Sequence, residues 1–238
     1  MVEFSALPIR RVERDPSSRI DPREWVARIP AVRQLLEDGL DLGSFTVFVG
    51  ENGAGKSTIV EAIASAFGLN PEGGTSSAMH RTQITESPLD EYLRVVRGAG
   101  ASRRGVFLRA ETMHGHLGYL ESIESPGRLG HQSHGESFVE YFSNRSAIDG
   151  LWLLDEPESA LSFSSCLSLI LHLRSLVSEG SQVILSTHSP ILAAVRGADI
   201  YEFGDWGMRL AEYDDLEMVR NWRLFLDAPE RFLRHLSG

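Results

Sequence analysis

Three stretches of the chain are apolar at almost every position: Phe45-Thr46-Val47-Phe48-Val49, Leu151-Trp152-Leu153-Leu154 and Val183-Ile184-Leu185. Short runs without alternation suit strands buried on both faces, as in a parallel sheet covered by helices. Val106-Phe107-Leu108 predicts another such strand. Between these runs the period changes. Ile59, Ile63 and Phe67 recur at helical spacing among Ala62, Ala64 and Ala66, and this helix is expected to end near Gly68. Leu161 to Val177 is a second apolar helical stretch, ending near Gly180. Strand and helix alternating in this way predict an α/β fold: a mainly parallel core sheet flanked by helices. The strand before Gly50 and the strand ending at Asp155 are expected to be neighbours in it.

The remaining pattern is weaker. Leu7 to Val12 looks extended, and Pro8 argues for an edge rather than a central strand. Trp25 to Leu36 predicts short helical turns interrupted by Pro30. Trp25 could stack on an adenine ring, though packing is the favoured role. Asn70 to Ser77 and Gly98 to Arg104 read as loops. Leu89, Leu93 and Val96 suit a short helix begun at Ser87-Pro88, and Phe138 to Phe142 suits another. Ile200 to Phe203 and Met208 to Leu210 predict a late hairpin, followed by a helical tail broken at Pro229. No repeat or long heptad run is present.

Composition narrows the class. The 238 residues carry a formal charge of −10, so the surface as a whole does not attract nucleic acid. Arg10, Arg11, Arg14 and Arg19, and again Arg103, Arg104 and Arg109, form local groups that read first as solvated faces. The single cysteine excludes a disulfide framework or a cysteine metal cluster within the chain. His114, His116, His131 and His134 match no zinc-ligand spacing. No stretch is apolar enough to span a bilayer and no basic leader is visible at the start, so a soluble cytoplasmic protein is the expectation.

The chemistry gathers at Gly50-Glu51-Asn52-Gly53-Ala54-Gly55-Lys56-Ser57-Thr58, which fits G-x-x-x-x-G-K-[ST], the P-loop or Walker A pattern, and lies between a predicted strand and a predicted helix. Glycines let successive backbone N–H groups converge on phosphate oxygens, and the helix N-terminus adds its positive end. Lys56, the chain's single lysine, can reach the β- and γ-phosphates of ATP, and the Ser57 hydroxyl can ligate Mg²⁺. Lys56 is expected to face solvent when no nucleotide is bound. About a hundred residues on, a buried strand ends in Asp155-Glu156. Asp155 stands at the Walker B position, able to hold Mg²⁺, and Glu156 is placed to orient or deprotonate a water. His188 follows the next strand and can reach the γ-phosphate or that water.

The order P-loop, Ser133-His134-Gly135-Glu136, Asp155-Glu156-Pro157, Ser159-Ala160-Leu161-Ser162, Ser186-Thr187-His188-Ser189 resembles the ATP-binding-cassette ATPases over about residues 40 to 205. Ser133 to Glu136 looks like the signature motif, Ser159 to Ser162 like the D-loop, and His188 like the switch histidine. With Phe107-Leu108-Arg109-Ala110-Glu111 and His134-Gly135-Glu136-Ser137, the chain looks like small stand-alone bacterial ATPases of that superfamily, related to the SMC/RecF branch. His134 replaces a glycine, Ser162 replaces the D-loop aspartate, and Glu111 stands where a Q-loop glutamine would touch Mg²⁺. The resemblance implies one domain over residues 1–238, with a reduced helical insert at about 70–146. It also implies two subunits enclosing two ATP molecules, with Ser133, Gly135 and Glu136 of one meeting the nucleotide held by the other.

Function then follows as expectation: a soluble ATPase working as an ATP-dependent homodimer in DNA repair, maintenance or defence, its protein or DNA client open. The alternatives are the nucleotide-binding subunit of a transporter and a non-hydrolysing ATP-dependent regulator. Only 22 positions separate Glu111 from Ser133, which is short for a permease-docking subdomain.

Overall fold

Among the described residues seven strands form the main sheet, and the five at its centre run parallel. A computed structural model describes residues 6–70, 74–75, 87–109 and 149–234. The strands are β1 (Arg11–Arg14), β2 (Leu40–Asp41), β3 (Phe45–Gly50), β4 (Gly74–Thr75), β5 (Leu93–Val96), β6 (Gly105–Arg109), β7 (Leu151–Asp155), β8 (Gln182–Thr187), β9 (Asp199–Gly204) and β10 (Gly207–Leu210). The helices are α1 (Pro30–Asp38), α2 (Lys56–Phe67), α3 (Phe163–Ser178), α4 (Pro190–Ala193), α5 (Glu217–Asp227) and α6 (Pro229–Leu233). The main sheet has the order β10-β9-β3-β8-β7-β6-β4, with the two outermost strands antiparallel. A second sheet, β2-β1-β5, is antiparallel throughout.

The apolar runs are strands because they feed two cores at once. Phe48, Phe107, Leu151, Leu153 and Ile184 face one core with Ile59, Ile63 and Phe67 of α2 and Val32 and Leu35 of α1. Their alternates Val47, Val106, Trp152, Leu154, Val183 and Leu185 face the other, with Cys166, Leu169 and Leu173 of α3 and Val219 of α5. Period-two alternation is present in the backbone, but both faces are buried, so the sequence reads as continuous hydrophobe. Trp152, wholly buried, is the largest of these side chains.

Several expectations are corrected. β3 and β7 are not neighbours, because β8 pairs in parallel with both and lies between them. The acids of β7 therefore reach the P-loop across the end of β8, which brings His188 to the same place. Pro8 precedes β1, and β1 is the central strand of the small sheet rather than an edge. Pro30 begins α1 instead of interrupting it, since proline at the first helical position forfeits no helix hydrogen bond. Ser87 caps only a 3₁₀ turn, Pro88–Tyr92, after which Leu93–Val96 pairs with β1 as a strand. Within the expected loop 70–77, Gly74–Thr75 pairs with β6. The late hairpin forms as expected, and its first strand also joins β3 in parallel.

Candidate nucleotide site

The loop between β3 and α2 is shaped by its glycines. Gly50 has φ 146°, and a Cβ there would sit 2.5 Å from the Phe203 carbonyl oxygen. Gly55 has φ 97°, and a Cβ would lie 2.6 Å from Cγ2 of Ile29, which packs on the loop. Neither position admits a side chain. Asn52 and Gly53 form the exposed turn, and Ala54 follows with its N–H on the Glu51 carbonyl at 3.3 Å. Ile59 N–H bonds to Gly55 O at 3.0 Å, so the amides of Lys56, Ser57 and Thr58 before it are the free first turn of α2, where an anion is favoured. No acidic side chain occupies that turn.

Lys56 departs from expectation. It is only 3% exposed, because its side chain folds back over its own loop instead of facing solvent. Its Nζ donates to Gly50 O at 2.9 Å and Glu51 O at 3.1 Å, and lies 3.0 Å from His188 Nε2. Burial lowers its pKa below the ordinary lysine value, against the opposing charges of Glu156, Asp155 and Glu158.

His188 Nε2 is also 2.9 Å from Glu156 Oε1. One ring nitrogen faces both groups, so it cannot accept from Lys56 and donate to Glu156 at once. An anion drawing the Lys56 ammonium away would leave the Nε2–H free to serve Glu156. Glu156 itself sits at φ 50°, ψ 46°, the sole non-glycine with positive φ among the described residues. The following Pro157 makes the right-handed helical region unfavourable as well. Strain of this kind persists where the surroundings hold a side chain in a required place.

Asp155 ends β7 and is buried. Its Oδ1 accepts from the Ser57 hydroxyl at 3.2 Å, joining the acidic strand to the P-loop helix. Burial pushes its carboxyl above the usual range, and the neighbouring Ser186 and Ser57 hydroxyls and the Arg109 charge oppose that only in part. A buried, under-compensated carboxylate beside a hydroxyl is a hard-oxygen pair suited to Mg²⁺, which takes few protein ligands and keeps waters and phosphate oxygens for the rest. Among the described residues there is no group of three or more His, Cys, Asp and Glu placed to hold a metal ion by themselves.

One neighbour was not legible as a site residue. Arg109 read as part of a solvated arginine group, yet it is register partner to Asp155 and pairs with Glu61 of α2 at 2.8 Å. Its place at the end of a buried strand was the available signal. Trp25, expected to pack, is 57% exposed, four residues before Ile29. Ser162, the D-loop departure, is the N-cap of α3 and accepts from Ser165 N–H at 3.2 Å, a role aspartate fills equally. Glu111, Ser133, His134, Gly135 and Glu136 lie outside the described residues, as do His114, His116 and His131.

The AAA domain family matches residues 35–104. The vitamin B12 import ATP-binding protein BtuD of Yersinia enterocolitica is 27% identical over 175 residues, covering 61% of this chain and 67% of that protein. An uncharacterized ABC transporter ATP-binding protein of Haemophilus influenzae is 22% identical over 233 residues, covering 86% and 88%. Among solved structures, an SMC head bound to the C-terminal winged-helix domain of ScpA aligns at TM-score 0.47 and 15% identity, covering 73% of this chain and 92% of that one. Among the described residues no helix is long and apolar enough to cross a membrane.

Proposed function

We propose that this chain, whose family match and curated relatives support an ATP-binding-cassette-type P-loop ATPase, binds ATP and hydrolyses it to ADP and phosphate. The observation that carries this reading is the meeting of three elements at the first turn of α2: Ser57 with Asp155, and Lys56 with His188 and Glu156. A carboxylate held against a histidine beside the P-loop supports turnover over binding alone.

In this reading, the amides from Gly53 to Thr58 and the Gly50 and Asn52 backbone cradle the phosphates, and the Lys56 ammonium moves from its own carbonyls to the γ-phosphate. Ser57 and Asp155 would hold Mg²⁺, with Glu111 a further candidate; the ion supplies neutralisation of phosphate charge. Glu156 orients a water and takes its proton as the oxygen attacks the γ-phosphorus. The bond to the β,γ-bridging oxygen breaks, and ADP leaves with the electron pair. His188 donates to Glu156 or to the transferring phosphoryl group. The exposed Trp25 offers a face for the adenine ring.

The working unit is proposed to be an ATP-bridged homodimer of one-domain chains, in which Ser133, Gly135 and Glu136 close on the nucleotide held across the interface. A soluble, cytoplasmic protein acting on a DNA or protein client is the fuller form of this reading. The names of the curated relatives favour a second one, the nucleotide-binding subunit of a transporter. Phosphate release from ATP and Mg²⁺ by the purified chain tests hydrolysis directly. Turnover without any permease supports the first reading, activity only with a membrane partner supports the second, and binding without release leaves the regulator.

A further inference from the structure

Glu158 takes no part in the mechanism just described, yet it is tied to the site. It lies in the 3₁₀ turn Pro157–Ala160 that leads from β7 towards α3, and its Oε1 accepts the backbone N–H of His188, beyond β8. Its Oε2 is buried and has no hydrogen-bond partner among the described residues. A carboxylate oxygen withdrawn from water without compensation is costly, and persists where the other oxygen makes a contact of value. A charge-assisted bond to a backbone amide is about twice as strong as a neutral one, and it fixes main chain rather than a rotatable side chain.

The His188 N–H begins the loop that aims the imidazole. The same turn starts at Glu156, whose left-handed backbone sets the carboxylate facing that imidazole. One side chain thus locks together the two segments that must keep Glu156 and His188 2.9 Å apart. We propose that Glu158 is a positioning residue, a strut from the turn after β7 to the His188 backbone that holds the Glu156–His188 pair in register for the attack on ATP. It also couples this pair to Ser159–Ser162, so movement of the α3 lead-in would reach His188 through Glu158.

This rests on the ATPase reading, so the experiment has one arm that does not. In the assigned ¹H–¹⁵N spectrum of the ligand-free protein, the His188 amide is expected downfield in the wild type, upfield in Glu158→Ala and between them in Glu158→Gln, which keeps an acceptor oxygen. In turnover, Glu158→Ala should lose roughly ten- to hundred-fold in kcat with KM for ATP nearly unchanged, the penalty of a misplaced catalytic group, and Glu158→Gln should recover part of it. An unmoved His188 amide, equal kcat loss in both variants, or a change confined to KM would overturn the strut. If Glu158→Ala does not fold by circular dichroism, Glu158→Gln alone decides: its His188 amide must move part-way upfield and its kcat must fall with KM nearly unchanged, and an unmoved amide or a change confined to KM overturns the strut. A wild-type protein without turnover would count against the ATPase reading, while the amide shift would still decide the strut.

Discussion

Lys56 donates to two carbonyls of its own loop while buried, and burial holds its pKa down. The ligand-free fold therefore carries a cation whose charged form is disfavoured. Lys56→Met roughly keeps the volume and removes the charge; it is expected to fold and to show no rise in Tm with ATP and Mg²⁺. For the wild type at a hundredfold excess over Kd, binding should add about 2.7 kcal/mol, or roughly 5–10 °C for a chain of this size. Asp155 poses the same conflict with opposite sign of charge. Its carboxyl is held above the usual range by burial, so ionisation costs the ligand-free protein stability. Asp155→Asn should leave the ligand-free Tm equal or higher and abolish the Mg²⁺-dependent part of the shift. Differential scanning fluorimetry with and without Mg²⁺ checks both variants, and a full wild-type shift in Asp155→Asn would remove it from the metal site.

At the scale of elements, Gln182 shows how the pieces are held together. It opens β8, is wholly buried, and its side chain binds Ile9 N–H at 2.8 Å, Ile9 O at 2.6 Å and Gly43 O at 2.8 Å. One amide thereby ties the segment entering the small sheet to the lead-in of the P-loop strand. Gln182→Ala leaves these backbone groups buried and unpaired, and should cost about 2–4 kcal/mol in urea unfolding with little change in m. No sequence pattern marks this clamp, because its partners are 173 and 139 positions away. The same non-locality hid the strand order. The runs ending at Val49 and Asp155 were legible as strands because both faces are apolar. That β8 separates them depends on long-range pairing, which composition does not encode. Leu93–Val96 failed for a local reason: four residues are too few to separate a period of two from one of 3.6. Within the site, the motif residues were legible through their spacing. The burial of Lys56 was not, because it depends on His188 arriving from another strand.

For the whole molecule, charge and association belong together. Of the N-terminal arginines, Arg11 pairs with Glu13 at 3.2 Å and Asp41 at 2.8 Å, while Arg10, Arg14 and Arg19 are exposed. The net charge of −10 opposes close approach of two copies at low salt. A ligand bound between the subunits would offset that repulsion, and ATP held at one P-loop and closed by the other subunit's signature is the proposed one. Glu156→Gln tests this. The amide keeps the shape beside His188 but removes the carboxylate's basicity, so hydrolysis should fall by roughly 10²–10⁴. ATP contacts from the P-loop survive, so nucleotide is bound and not consumed. A ligand that binds only the dimer stabilises it by mass action. Size-exclusion chromatography with light scattering should therefore show Glu156→Gln as a dimer with ATP and Mg²⁺ and as a monomer without them, while the wild type reverts as ATP is spent. Adding Ser133→Arg to the same chain should abolish that dimer and leave ATP binding to the monomer intact. A Glu156→Gln protein that hydrolyses ATP at the wild-type rate, or keeps one oligomeric state whatever the nucleotide, would refute the sandwiched homodimer.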